Sequence, residues 1–240
     1  MRKLGYLVLF LVLTAVALYF TFPFDRLVGY EACKRGLSFS SVEVKRLPPE
    51  VVFRSVCFGS LPVCFERLSV EPRGTHRFRF YAEACGGSVG GELTYPVGKV
   101  EFKAEGLKLG RCGGDLKGKL SGEGSLELKG GKLVGGSGEL LFSNLEVSNL
   151  KFGLFSFETL RLGRVTVKYR VEGVNRVKLT VTGSGPDALL RASGYLNVNP
   201  ANPASSYLNA KVHVTAESGD LKGKSFTFTL RGTLKDLEVL

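Results

Sequence analysis

Two cysteines in this chain of 240 residues have a spacing that predicts a covalent bond. Cys57 and Cys64 lie in two apolar segments that are separated by Gly-Ser-Leu-Pro. A hairpin that turns at Ser60-Leu61 places the two cysteines directly opposite each other, and facing positions in a hairpin are close enough for a disulfide. We therefore predict a disulfide between Cys57 and Cys64.

The other three cysteines leave more than one interpretation open. Cys85 and Cys112 each precede a Gly-Gly pair and could form a second bridge, which would leave Cys33 unpaired. Disulfides are expected if this part of the chain lies outside the cytoplasm. Buried free thiols are the alternative. Metal ligation is a weaker one, because the chain has no C-x-x-C pair and only two histidines.

No group of residues has the spacing of a catalytic centre. His213 occupies a polar position of an alternating segment and His76 lies in a Gly-Thr-His turn, and neither is near a nucleophile motif such as G-x-S-x-G. The glycines between 86 and 91 lack the Lys-Ser/Thr of a phosphate-binding loop. Asp115 and Asp220 sit in turns, where aspartate is common. We expect no enzymatic activity, no catalytic residue, no cofactor, no metal and no small-molecule substrate.

The net charge of +11 indicates little about partners. Lysine and arginine occupy the polar positions of predicted strands, as at Lys117, Lys119, Lys168, Arg170 and Lys178. Because these charges are spread along the chain and match no nucleic-acid-binding module, we do not expect nucleic acid as a partner.

A period of two in the sequence predicts the elements that carry these residues. From Leu116 to Lys129 every even position is Leu or Gly, and every odd position is Lys, Ser or Glu. Successive side chains of a strand point to opposite faces, so this pattern indicates a strand with one apolar and one polar face. The stretches 165–171, 177–181, 208–216 and 226–230 alternate in the same way. About a dozen such strands joined by short turns predict consecutive antiparallel pairing.

The predicted fold is therefore mainly β: one antiparallel meandering sheet, curved or folded over as a groove or a sandwich. The shared period also predicts that the apolar positions of distant strands form one continuous face. The residues assigned to this face are Leu116, Leu120, Leu126, Leu128, Val165, Val167, Val212, Val214, Phe226 and Phe228.

The N-terminal region lacks the alternating pattern of the rest of the chain. Arg2 and Lys3 favour a cytoplasmic tip over residues 1–3, and residues 4–22 are an uncharged apolar run of about the length that crosses a bilayer as a helix. A cleaved signal peptide is the alternative, but the aromatic residues at the end of the run favour an uncleaved anchor. Residues 23–36 predict a short amphipathic helix and linker, and residues 37–240 the β domain.

The hexapeptide Gly-Asp-Leu-Lys-Gly-Lys occurs twice, at 114–119 and at 219–224. The two copies indicate either two equivalent hairpins or a chance recurrence of Gly/Lys-rich turns, and the same phase of the strands that follow favours the first.

The layout resembles the type II secretion system protein N family. The resemblance rests on the apolar N-terminal run, on Phe-Pro-Phe-Asp-Arg-Leu at 22–27, and on the Gly-Gly-Asp-Leu stretch that contains Gly113, Gly114 and Asp115. It implies a bacterial inner-membrane protein with a periplasmic β domain and an accessory role in secretion. The layout is also similar to the broader AsmA-like class, in which a membrane-anchored β groove is thought to carry lipid between membranes.

Two functions follow from these resemblances as expectations. The first is a non-catalytic accessory subunit that binds other secretion-system subunits through its sheet. The second is a membrane-anchored groove that binds or transfers lipid. The two functions differ in the solvent exposure of the apolar face, since a subunit would bury this face in a core and a groove would leave it open.

Overall fold

The computed structural model describes residues 23–34, 37–58, 64–96, 98–112, 115–152, 155–200, 202–234 and 236–239. A helix over Phe24–Lys34, a helical turn over Leu109–Cys112 and two 3-10 turns over Pro203–Ser205 and Gly219–Leu221 accompany fifteen strands. The strands are β1 (Leu37–Ser38), β2 (Ser41–Arg46), β3 (Pro49–Phe58), β4 (Cys64–Pro72), β5 (Arg77–Ala84), β6 (Gly87–Thr94), β7 (Lys99–Lys108), β8 (Leu116–Lys129), β9 (Lys132–Phe152), β10 (Phe155–Gly173), β11 (Arg176–Ser184), β12 (Ala188–Asn197), β13 (Tyr207–Ala216), β14 (Ser225–Thr233) and β15 (Leu237–Val239).

All fifteen strands belong to one antiparallel sheet. From β3 to β15 each strand pairs with the next one in the chain, and β1 and β2 share the outer side of β3. Short turns bring consecutive strands together, so the order in the sheet follows the order in the sequence. The predictions of a mainly β fold and of a single antiparallel meander are confirmed.

Two strands are longer than their sequence pattern suggested. The alternation at 165–171 covers only part of β10, which begins at Phe155, and β9 is likewise continuous over Lys132–Phe152. The register shifts near Asn144 (φ 52°) in β9 and near Gly163 (φ 60°) in β10. An extra residue at a bulge changes which alternate positions face the core. In β9 the even-numbered residues just before the shift, up to Phe142, point to the apolar face, and just after it the odd-numbered residues do, beginning with Leu145. β10 makes the matching change before Val165.

The two copies of the hexapeptide do not form equivalent structures, so that interpretation is wrong. In the first copy Leu116 already begins β8, whereas Gly219–Leu221 of the second copy is a 3-10 turn. The strand after the second copy begins only at Ser225. The same six residues adopt two structures because their neighbours differ: β8 pairs with β9 from its first residue, at Val147.

The Phe24–Lys34 helix, which we call the N-terminal helix, packs on the first strands. It has an acid, Asp25, in its first turn and a base, Lys34, in its last, the arrangement that suits the helix dipole. In the part of the chain that the structure describes, no helix combines the length and the apolar character needed to span a bilayer. The predicted anchor over residues 4–22 lies outside the described residues.

Candidate functional site

Apolar side chains follow the sheet from one side to the other in register. The cross-strand partners of Leu140 are Gly122 and Val167, and those of Val212 are Ala192 and Phe228. Continued through all the ladders, this row runs from β2 to β14 without a polar residue. We call it the central row: Val42, Phe53, Leu68, Ala82, Val89, Ala104, Gly122, Leu140, Val167, Val181, Ala192, Val212 and Phe228.

Neighbouring rows extend this surface on both sides of the central row. Leu120, Val165, Val214 and Phe226 belong to a row that also contains Phe142. We call the combined surface of these rows the apolar face. Most of the residues that the sequence assigned to it lie there in register.

The side chains of the apolar face are apolar, but many of those described are not fully buried. Of the described side chains, Val56 and Ser206 are the largest that are fully buried. Beyond Phe53, Val212 is buried, but the leucines and the phenylalanine of the central row, including Leu140 and Phe228, are only half-buried. In a two-sheet sandwich the inner faces interdigitate, and such residues become fully buried. The described sheet therefore leaves much of its apolar face only partly covered.

Leu116 and Leu128 depart from the expected lining. Their exposed fractions are 42% and 37%, the values of surface residues. Both lie at the ends of β8, beyond the register shifts near Gly118 and between Glu127 and Leu128. Each still pairs with β9, but the ladder between β7 and β8 runs only from Lys119 to Glu127, so these two leucines have a strand partner on one side only and are less buried than Leu120.

Two clusters cover parts of the face more completely. Near the middle of the sheet, Leu145, Leu162, Val165 and Ala188 are buried together. At the β1–β4 side, the N-terminal helix places Ala32 against Phe53 and Val56. The Asp25 carboxylate also accepts a hydrogen bond from the Val44 backbone N–H at 2.7 Å. This bond satisfies a donor on the edge strand β2, which would otherwise be free to pair with another chain.

On the apolar face, the Tyr169 ring packs over two glycines, Gly124 and Gly138. A Cβ on Gly138 would be 2.5 Å from Cε1 of Tyr169, and one on Gly124 would contact its hydroxyl. The Tyr169 hydroxyl donates a hydrogen bond to the Ser125 carbonyl at 3.2 Å. Burial raises the pKa of Tyr169, so the phenol stays neutral. The ring therefore lies against the sheet, and its carbon atoms form part of the apolar face.

Four of the five cysteines form disulfides. Cys57 and Cys64 are cross-strand partners in β3 and β4, with their Cα atoms 4.3 Å apart and a sulfur–sulfur distance of 2.00 Å. Cys85, at the β5–β6 turn, is bonded to Cys112 at the end of the helical turn, with a Cα–Cα distance of 5.1 Å. Cys33 is an exposed free thiol. The second bridge fixes the helical turn beside the sheet, whereas the first reinforces an existing pair of strands.

The described histidines and Asp115, residue types that could serve as candidate site residues, are not grouped into a catalytic or metal site. His213 shares a 2.9 Å hydrogen bond with Thr227 across β13 and β14, and His76 is exposed. Asp115 accepts a hydrogen bond from Asn149 at 3.1 Å, which attaches the turn before β8 to β9, while Gly113 and Gly114 lie outside the described residues. Within the described ranges, no three His, Cys, Asp or Glu residues are grouped so as to hold a metal ion.

A broad depression that the sequence did not indicate lies on the polar side of the sheet. Its volume is about 750 Å³, and its floor includes Ser125 and Ser137. Charged side chains surround it, and Lys168 at its rim pairs with Glu139 at 3.2 Å. Because small residues sit opposite each other there, the depression depends on cross-strand register, which alternation alone does not determine.

Comparison of the chain with protein-family models, with curated proteins and with solved structures gives no match. Fold and surface chemistry therefore carry the functional argument.

Proposed function

We propose that this chain is a non-catalytic lipid-binding protein whose apolar face holds acyl chains, as in the AsmA-like layout. The incomplete burial of the large side chains of the central row is the observation that carries the proposal. An apolar surface of this extent is unfavourable in water, and monomeric soluble proteins rarely expose one without a ligand or partner. Acyl chains are long, flexible and apolar, so they match a long row that lacks polar groups.

The proposal places the β domain in the periplasm of a bacterium, attached to the inner membrane by the apolar run at 4–22. Two disulfides support a location outside the reducing cytoplasm. The N-terminal helix covers one side of the face, whereas beyond β10 large apolar side chains such as Leu190 and Phe228 stay partly exposed. A lipid would then lie across the strands, along the rows.

Photo-crosslinking from the two faces tests the proposal. A benzoylphenylalanine is introduced at Phe102, on the apolar face, and in a second variant at Leu120. Matched controls carry it at Lys103 and at Lys119, the adjacent positions that point to the polar face outside β11–β14. After irradiation of the full chain in cells, mass spectrometry should find lipid adducts at Phe102 and Leu120. Equal adducts at the control positions, or none at all four, would contradict lipid binding by this face.

One observation favours the second candidate, an accessory subunit of a type II secretion system. β15 pairs only with Leu230, Arg231 and Gly232 of β14. Within the described part of the chain, the β14–β15 ladder does not extend to Ser225, Thr227 and Thr229, which lie at the edge of the sheet. An exposed strand edge can accept a strand from a partner protein.

A benzoylphenylalanine at Thr227 tests this candidate in a host that contains the secretion system. Crosslinks from Thr227 to one defined subunit, absent from a Thr180 control, would support the accessory role. If no such crosslinks form, the edge of β14 gives no support to the accessory role.

A further inference from the structure

The four strands from β11 to β14 contain no acidic residue. Their basic side chains are Arg176, Lys178, Arg191, Lys211, His213 and Arg231. Every strand from β5 to β9, in contrast, contains at least one glutamate. The acids nearest in sequence, Asp187 and Glu217, lie in the connections, and Asp187 is already bound to Arg161.

These basic residues lie together on the polar side of the sheet and are exposed. Arg191 is the cross-strand partner of His213, and Lys211 is the partner of Ser193. With strands about 4.8 Å apart, the four strands form a surface on the order of 15 Å wide. Serine and threonine hydroxyls occupy most of the positions between the charges. We call this surface the basic field.

Three of the five cations of the basic field have partners. Lys178 pairs with Glu172 at 3.4 Å, and Arg176 stacks on the Tyr195 ring at 4.0 Å. Arg231 donates to the Tyr207 hydroxyl and faces Glu238 of β15. No acidic group of the described residues lies within ion-pair distance of Arg191 or Lys211. On the opposite half of the sheet, neighbouring charges pair along the same strand, as Lys99 does with Glu101 at 2.6 Å.

We propose that the basic field docks on the surface of an anionic phospholipid membrane. Its charges are spread over a broad surface rather than gathered around a cavity, which matches a planar array of phosphates better than a single ligand. Hydroxyl donors between the cations can bind phosphate oxygens. The field is on the side opposite the apolar face, so this inference is independent of the lipid-binding proposal.

Binding to vesicles tests the inference with the full chain. The protein is reconstituted in phosphatidylcholine nanodiscs, so that any apolar N-terminal segment is already accommodated. Binding of these nanodiscs to immobilised vesicles is then measured with and without phosphatidylglycerol, at low and at high salt. The variant R191Q/K211Q removes two charges of the basic field. The control K129Q/K132Q removes two exposed charges at the β8–β9 turn.

We expect binding that requires phosphatidylglycerol, weakens with salt, and decreases about fivefold for each charge removed from the basic field. The control variant should retain its binding, and circular dichroism should show that both variants are folded. An equal decrease in both variants would mean that net charge alone is responsible. Binding to polyglutamate but not to the vesicles would indicate an acidic protein partner. Either result would overturn the inference.

Discussion

Asp187 has the densest set of polar contacts among the described carboxylates. Arg161 donates to it from its backbone N–H at 2.9 Å and from its guanidinium at 3.1 and 3.0 Å, and the Ser218 hydroxyl donates at 3.0 Å. These hydrogen bonds, led by those of the Arg161 side chain, lower the pKa of Asp187 from 3.8 to about 2. The residue ties the β11–β12 turn to β10 and to the chain after β13.

The low pKa of Asp187 predicts a pH dependence. A carboxyl whose pKa is lower in the folded state stabilises the fold above the unfolded pKa of 3.8 and loses this effect as pH falls toward 2. Asp187→Asn should lower the free energy of unfolding at pH 7 by about 1–2 kcal/mol, since solvent screens the exposed Arg161. The difference from the unsubstituted chain should shrink in melts as pH falls through this range. Glu158→Gln, an exposed control on β10, should change little, and a difference independent of pH would refute the assignment.

The cysteines give a second residue-scale prediction. In denaturant without reductant, a thiol reagent should label Cys33 and leave Cys57, Cys64, Cys85 and Cys112 unlabelled. Reductant should expose all five, as counted by mass spectrometry. Labelling of Cys57 and Cys64 without reductant would show that they are free thiols.

At the scale of elements, β10 depends on a bulge that only glycine accommodates easily. Gly163 has φ +60°, and a Cβ there would be 2.8 Å from the Ser184 carbonyl oxygen. At Gly173, on the same strand, a Cβ would meet only the Arg176 Cβ at 4.0 Å. The bulge keeps the apolar residues on both sides of Gly163 on one face of the sheet.

Alanine substitutions at these two glycines test the bulge. Gly163→Ala should lower the free energy of unfolding by about 1–3 kcal/mol in thermal or denaturant melts, because it combines backbone strain with a steric clash. Gly173→Ala should be neutral within roughly 0.5 kcal/mol. Equal stability of the two variants would mean that β10 does not need its bulge.

At the scale of the whole molecule, the openness of the apolar face predicts a graded response to buried charge. Val165, in the middle cluster, is 3% exposed, whereas Leu120 on the same face is only half-buried and Lys119 points to the polar side. Melts of the full chain should show the largest loss for Val165→Asp, an intermediate loss for Leu120→Asp and roughly 0.5 kcal/mol or less for Lys119→Asp. A closed core would make the first two losses equal, and a large loss at Lys119 would refute the assignment of faces.

The sequence alone determined the properties that depend on near neighbours. Alternation between Leu116 and Lys129 was enough to identify a strand and its two faces, because side-chain direction has a period of two in any strand. Short turns then determined the antiparallel order of the sheet. The predicted facing of Cys57 and Cys64 followed from the same local geometry, and the structure places them as partners.

Only the tertiary structure decided what depends on contacts between distant residues. Alternation assigns Leu120 and Val165 to one face but does not say how much of that face is covered, because burial depends on what packs against it. The bulge at Gly163 and the partners of Asp187 likewise arise from pairing across strands. Whether each cation meets an acid depends on register, which is why the basic field became visible only when β11–β14 were placed side by side.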